Sequence, residues 1–283
     1  MIEVIKAGPL ATVQDLGRPG WAHLGVPRSG ALDPPALRLA NRLVANPEPA
    51  AGIEVTLTGC RLRAREDSTV AVTGARSRVR VDGEEMPFGA PVRVPAGSTL
   101  EVGRAVAGVR TYVAVAGGIE VPPVLGSRST DTLSGIGPPR LVDGVCLPVG
   151  RPAGSPAPHA TGGAEPSAEV ALRVRLGPRD DWFTTEAIET LLLSPYAIGP
   201  MSNRVGARLT GASLPRARGG ELPSEGVVLG AVQVPPGGEP LVFLADHPTT
   251  GGYPVIAVVD EGDLPALAQA RPGATVRFHG PQR

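Results

Sequence analysis

Lysine is nearly missing from this chain. Of its 27 basic residues only Lys6 is a lysine, and the rest are arginines. No internal lysine can therefore carry biotin or form a Schiff base. Lys6 is followed by Ala7, so the Gly-Lys-Ser/Thr core of a phosphate-binding P-loop is absent and Walker-type ATP binding is excluded. Aromatic residues are only 3%, which leaves Val, Leu, Ile and Ala to build the core. The two cysteines, Cys60 and Cys146, form no CxxC pair and have no histidine cluster nearby. That excludes a zinc site or a disulfide framework, and both are expected as reduced, buried thiols. His23, His159, His247 and His279 show no metal-ligand spacing, and neither a GxSxG elbow nor an HExxH motif occurs. No metal site is expected. No apolar run approaches the length of a membrane-spanning helix. The opening MIEVIKAGPL lacks the basic-then-apolar build of a secretion signal, so a cytoplasmic location is expected. A formal net charge of +0 favours neither nucleic acid nor an anionic membrane as partner.

The chain has 283 residues, 42% of them hydrophobic, enough for one large core or two ordinary domains. Its 38 glycines and 32 prolines act as punctuation between short β-type runs. These runs are IEVTL (53–57), TVAVT (69–73), RVRV (78–81), TYVAVA (111–116), ALRVRL (171–176), VVLGAVQV (227–234), LVFLA (241–245) and VIAVV (255–259). Many short strands between turn signals predict barrels or sandwiches. Three helices are predicted. The first covers 33–46, with Asp33 as N-cap and Pro34 at the first helical position. The second covers 181–193, and the third follows Asp263. Residues 151–169 are rich in Pro, Ala, Gly and Ser and read as a linker. His159 in it is expected to be inert. The linker separates an N-terminal domain, 1–150, from a C-terminal domain, 170–283.

Polar residues gather in Gly-bounded clusters. The stretch ATVQDLGRPGWAHLGVPRSGALD (11–33) presents Gln14, Asp15, Arg18, Arg28 and Ser29. PMSNRVGARLTG (200–211) presents Asn203, Arg204 and Arg208. PSEGVVLGAVQVP (223–235) presents Glu225 and Gln233. ADHPTTGGYP (245–254) presents Asp246, Thr250 and Tyr253. Arginine forks suit carboxylate-like groups, and paired glycines let a backbone approach a ligand. Together these parts predict a site for a small, planar, polar or anionic molecule. Each has a plainer reading. Asp15 and Arg18 could be a local ion pair, Arg204 and Arg208 one solvated face, and Glu225 part of a turn. Asp33 reads as a helix cap, and His23 and His247 as hydrogen-bonded loop residues.

At these clusters the sequence resembles a known family. The carrying motifs are QDLGRPG, GVPRSGALD and LANRLV, then YVAVAGG (112–118) and LGSRSTDT (125–132), then SNRVGARLTG, SEGVVLGAVQVP and DHPTTGGYP. Their order is similar to that of the biotin-dependent carboxyltransferase-type family, also called allophanate hydrolase subunit 2. This family includes the C subunit of 5-oxoprolinase, the Kip antagonist and part of the urea carboxylase carboxyltransferase domain. The likeness runs from about residue 7 to residue 278. Two departures lie beside the expected site: Val145 where the family usually has Asp, and Pro248 where Gln is common.

The resemblance implies a mainly β fold of two cyclophilin-like β-barrel domains with a few short helices. It implies two partners. One is a smaller cyclophilin-like sister subunit, of the kind found as the B subunit of 5-oxoprolinase or as the Kip inhibitor. The other is the lactam-hydrolase A subunit. Such a complex opens 5-oxoproline to glutamate at the expense of ATP, with the nucleotide bound mainly on another subunit. On that reading Arg18, Arg28, Arg204 and Arg208 bind anions, and Asp246 and Glu225 are the acid/base or orienting carboxylates. Gln14, Ser29, Asn203, Gln233, Thr250 and Tyr253 supply neutral hydrogen bonds to the substrate. Two alternatives remain. One is carboxyl transfer to urea or a similar amide, with biotin on a separate carrier. The other is a non-catalytic protein that binds a kinase-inhibitor-like sister subunit.

Overall fold

The computed structural model describes residues 1–156 and 167–280. The chain divides into two compact units, Met1–Arg18 with Ser29–Pro166, and Pro19–Arg28 with Ser167–Arg283. The opening polar loop is thus divided: its middle groups with the C-terminal unit rather than with the N-terminal domain expected at 1–150. His159 and most of the expected linker lie outside the described residues.

The first unit runs β1 (Ile2–Lys6), β2 (Ala11–Gln14), α1 (Pro34–Leu43), β3 (Gly52–Thr56), β4 (Cys60–Ala64) and β5 (Ser68–Gly74). It continues with β6 (Val79–Val81), β7 (Glu84–Met86), β8 (Pro91–Val94), β9 (Thr99–Val102), β10 (Arg110–Val115) and β11 (Cys146–Leu147). The strands form two sheets, ordered β11-β1-β4-β9-β6-β7 and β2-β3-β10-β5-β8. Strand β4 shows why they pack: Cys60, Leu62 and Ala64 point inward while Arg61 faces solvent. Inward residues of both sheets, among them Val4, Leu62 and Leu100 from one and Val13, Ile53 and Val113 from the other, share one core.

Strand β10 is buried along its whole length. One side meets the inter-sheet core. On the other, Ala114 packs with Leu39, Ala40 and Leu43 of α1, and Tyr112 packs with Leu37. Asp33 caps α1 by accepting from Ala36 N at 3.0 Å, a contact that contributes about 1 kcal/mol. The Tyr112 hydroxyl accepts from Asp33 N and donates to Glu54 Oε2, both at 2.8 Å. Burial first, then the charges of Glu54 and Asp33, push that phenol well above its usual range. This buried chain of bonds fixes the segment that leads from the polar loop into α1.

The second unit runs β12 (Glu169–Leu176), α2 (Thr185–Leu193), β13 (Tyr196–Ile198), β14 (Gly206–Gly211), β15 (Glu225–Gly226), β16 (Ala231–Gln233) and β17 (Leu241–Phe243). It ends with β18 (Thr250–Gly251), β19 (Val255–Val259), α3 (Leu264–Gln269) and β20 (Thr275–His279). Here a barrel closes in the order β12-β19-β16-β17-β14-β13-β20. The parallel pairing of β12 with β20 completes it. Strands β15 and β18 form a separate two-stranded ribbon.

The mainly β reading with short helices therefore holds, and the second unit is a barrel. The first differs from a closed barrel because its strands separate into two facing sheets. The run 227–234 is also broken. Gly230 takes a φ of 80°, Val228 is exposed, and regular pairing within the run begins only at Ala231. Thr184 caps α2 and Pro265 lies in the first turn of α3, so all three predicted helices are present, the first two with shorter bounds.

Both cysteines are free, but only Cys60 is buried. Cys146 lies exposed on β11, at the edge of its sheet, which corrects the expectation of two buried thiols. Burial pushes the Cys60 thiol up to about 12. Iodoacetamide is expected to alkylate Cys146 in the native protein and Cys60 only after unfolding. Peptide mass spectrometry checks this; early labelling of Cys60 would contradict it.

Candidate functional site

In the first unit the LGSRSTDT segment meets the end of the ATVQD strand. Asp15 is the hub. Its Oδ1 accepts from Gly17 N at 2.8 Å, the Ser127 hydroxyl at 2.6 Å and the Ser129 hydroxyl at 2.5 Å. Its Oδ2 accepts from Arg128 N at 2.6 Å. Ser129 Oγ in turn accepts from Asp15 N at 3.0 Å. This carboxylate is buried and engaged on both oxygens, so it organises a loop rather than moving protons.

Arg18 is 1% exposed. Its Nε donates to the Val124 carbonyl at 3.3 Å and its Nη2 to the Ser129 carbonyl. Gln14 donates from Nε2 to Thr12 Oγ1 at 3.1 Å and to the Thr130 carbonyl at 2.9 Å. The Ser29 hydroxyl donates to Asp131 Oδ2 at 2.9 Å. Asp131 Oδ1 accepts from Leu133 N and Ser134 N, both at 2.8 Å. The structure thus gathers Gln14, Arg18 and Ser29 around the consecutive residues Ser129, Thr130 and Asp131. Those partners were missing from the site residues expected from sequence. Their signal was the LGSRSTDT motif itself, four hydroxyls and a carboxylate in one short run.

This region carries strain and unspent hydrogen-bonding capacity. Ser29 and Leu125 are non-glycine residues at φ of 52° and 51°, a conformation that costs roughly 1–2 kcal/mol each. Such strain collects at functional sites. Gly30 sits at φ +96°, and a Cβ there would lie 2.9 Å from Gly17 N. Only glycine lets the two limbs of the loop approach so closely. The Ala31 N to Asp15 carbonyl bond at 2.9 Å ties those limbs together. Gln14 Oε1 and Thr130 Oγ1 are buried with no hydrogen-bond partner among the described residues. Buried oxygens of this kind are places where a water or a ligand N–H or O–H binds.

The second unit holds two further groupings. In one, Arg204 Nε and Nη2 donate to Asp246 Oδ2 and Oδ1, each at 2.9 Å. Their side chains are 1% and 0% exposed. Asp246 N also donates to the Arg204 carbonyl at 3.0 Å, so the pair is locked by backbone as well. In the other, Glu225 on β15 pairs with Gly251 on β18, and its carboxylate accepts from Arg179 Nε at 2.9 Å and from Arg179 Nη2. Gln233 is buried and donates to the Tyr253 carbonyl at 2.9 Å. A Cβ on Gly251 would lie 2.6 Å from Gln233 Nε2, so a larger residue there would push the Gln233 amide aside. Arg216 lies 6.0 Å from the Tyr253 ring centroid, a cation–π distance. Glu225, Gln233, Thr250 and Tyr253 are thereby grouped around one ribbon, where Thr250 and Tyr253 are exposed.

Several residues sit differently from the expectation. Arg28 forms an exposed ion pair with Glu261 at 2.7 Å, which already satisfies its charge. Arg208 is exposed on β14 while Arg204 is buried, so the two share no face. Asn203 Oδ1 accepts from Val205 N at 2.8 Å and Gly206 N at 3.3 Å, closing a turn. Gln233 acts on backbone. His23 and His247, by contrast, are the hydrogen-bonded loop residues expected: His23 Nδ1 lies 3.0 Å from the Gly20 carbonyl and His247 Nδ1 2.6 Å from the Pro248 carbonyl. Asp15 is held by hydroxyls and backbone N–H groups rather than by a local pair with Arg18. Among the described residues no group of three His, Cys, Asp or Glu is placed to hold a metal ion, and no helix is long and apolar enough to cross a membrane.

A family model described as "Carboxyltransferase domain, subdomain A and B" matches residues 24–280. The chain belongs to the carboxyltransferase domain A and B family. This carboxyltransferase-family chain is 40% identical over 281 residues to the C subunit of 5-oxoprolinase from Escherichia coli (strain K12), covering 98% of the chain and 90% of that protein. Identity to the C subunit of 5-oxoprolinase from Haemophilus influenzae is 36%, with the same two coverages. Urea amidolyase of Saccharomyces cerevisiae is 35% identical over 302 residues, but the matched region is 16% of that protein. Among solved structures, TTHA0988 superposes with a TM-score of 0.88 at 41% identity, covering 98% of the chain and 55% of that protein. The Kluyveromyces lactis urea amidolyase superposes with a TM-score of 0.89 at 31% identity, covering 98% of the chain and 18% of that protein. The carboxyltransferase-family chain therefore spans about half of TTHA0988, where it covers 55%. It shares the fold of both.

Proposed function

We propose that this chain is the C subunit of a 5-oxoprolinase-type complex, which opens the lactam of 5-oxoproline to glutamate with consumption of ATP. The observation that carries this reading is the match at 40% and 36% identity to two proteins named as C subunits of 5-oxoprolinase, over 90% of each. On this reading the partners are a smaller cyclophilin-like B subunit, together with a lactam-hydrolase A subunit. The units of the present chain are themselves cyclophilin-like, and the assembly works in the cytoplasm.

A lactam carbonyl is a poor electrophile. ATP would supply its activation by phosphorylating the amide oxygen, and the nucleotide would sit mainly on another subunit, since this chain has no P-loop. The task left to this chain is to hold a polar substrate still and exclude stray water. The first unit has the means. Asp15 and Arg18 fix the 124–131 segment, whose Arg128 side chain is only partly buried. In the second unit Arg204 and Asp246 neutralise each other, and Glu225 is engaged by Arg179. Both carboxylates then orient their loops, and acid/base work by either would require its arginine to move.

A second reading, carboxyl transfer from biotin on a separate carrier to urea or a similar amide, is favoured by the family description and the match to urea amidolyase. The deciding experiment purifies the chain with its B- and A-type partners and measures ATP-dependent release of glutamate from 5-oxoproline. Glutamate release supports the leading reading. A folded, complete complex that releases none contradicts it. Carboxybiotin-dependent carboxylation of urea would establish the second.

A further inference from the structure

Several buried or partly buried arginines of this fold have a carboxylate partner. Arg204 faces Asp246, Arg179 faces Glu225, and Arg110 lies 3.8 Å from Glu54. Arg128 is different. It is partly buried in the LGSRSTDT segment. Its side chain makes one hydrogen bond, from Nε to the Val121 carbonyl at 2.8 Å. Among the described residues no carboxylate pairs with it and no acceptor meets Nη1 or Nη2. The Nε bond fixes the plane of the guanidinium. It leaves the outer edge, with two parallel N–H vectors, without a hydrogen-bond acceptor among the described residues.

The backbone beneath this side chain is held unusually firmly. Arg128 N donates to Asp15 Oδ2, and the hydroxyls of its neighbours Ser127 and Ser129 donate to Asp15 Oδ1. Val124 and Ser127 exchange backbone bonds across the strained Leu125. A single buried carboxylate thus positions three consecutive residues, and the middle one carries the unmatched charge. A guanidinium edge of this kind fits the two oxygens of a carboxylate, and preorganisation lowers the entropy lost when one binds.

We propose that Arg128 is a substrate-binding residue that takes a carboxylate of the ligand. The assignment of that ligand as 5-oxoproline rests on the function proposed above. 5-Oxoproline carries a carboxylate beside its lactam, whereas urea carries none. Arg128 therefore supplies a specificity for acidic lactams over neutral amides, while Thr130 lies two residues along the same segment and its carbonyl accepts from Gln14 Nε2 at 2.9 Å.

The test labels the full-length wild-type chain with phenylglyoxal and follows Arg128 by peptide mass spectrometry. 5-Oxoproline is expected to slow labelling of Arg128 several-fold. 2-Pyrrolidinone, the same ring without the carboxylate, should leave the rate unchanged at equal ionic strength. Equal labelling with either compound overturns the proposal, and so does protection by inorganic phosphate but not by 5-oxoproline. In an active complex, Arg128→Met should raise KM for 5-oxoproline about tenfold or more with a smaller fall in kcat, and Arg128→Lys should recover part of that loss. An unchanged KM contradicts the assignment. If the complete wild-type complex releases no glutamate, the function fails separately. Acetate then replaces 5-oxoproline in the labelling experiment, and absence of protection by acetate overturns the carboxylate site itself.

Discussion

Asp15→Ala should destabilise the first unit by about 4 kcal/mol or more, because charge-assisted bonds to buried donors contribute roughly 1.5–3 kcal/mol apiece. Four donors lose their acceptor at once: Gly17 N, Arg128 N and the hydroxyls of Ser127 and Ser129. Both serines are 0% exposed, so water cannot replace the carboxylate without opening the loop. Asp15→Asn keeps the shape but turns an N–H₂ toward groups that themselves donate. It should fall between Ala and wild type. Urea denaturation monitored on the first unit's transition measures the loss. A change below about 1 kcal/mol, the range of an exposed contact, would mean that Asp15 does not organise the segment. The same substitution should abolish substrate binding even where the protein remains folded, since Arg128 loses its backbone anchor.

The second large effect concerns Arg204 and Asp246. Removing one member of a fully buried ion pair leaves an uncompensated charge, at a cost of about 3–5 kcal/mol. Arg204→Met and Asp246→Leu should each show it. The double variant should be more stable than the sum of the single losses implies, because an apolar pair of similar volume relieves both desolvation penalties. The cycle also addresses chemistry. A folded double variant that still supports turnover removes Asp246 from the reaction. A folded double variant without turnover keeps it at the site. Additive single losses would contradict the pairing.

Local features were legible in the sequence. The α1 start followed from Asp33 and Pro34, since a cap and a ring-fixed φ need only neighbouring residues. Strands such as β5, β10 and β19 followed from apolar runs between turn residues. The two-sheet form of the first unit was not legible, because strand order depends on pairings far apart in the chain, such as β1 with β4 and β11. The site shows the same division. That Gln14, Arg18 and Ser29 belong together could be anticipated from one glycine-rich stretch. Their partners Ser129, Thr130 and Asp131 lie more than 100 residues away, and only the folded chain shows them meeting. Arg28 illustrates the converse. Its partner Glu261 is 233 residues distant, so an arginine that read as an anion binder is a surface ion pair. Arg128 gave no such signal, because its lack of a carboxylate partner among the described residues is a property of the fold.

The most direct test of the account is glutamate release from 5-oxoproline and ATP by the assembled complex, measured with this chain present, omitted, or carrying Arg128→Met. The account predicts release that needs ATP, stops when the chain is omitted, and shows a raised KM in the variant. Equal release without the chain, or none from the complete folded complex, would contradict it.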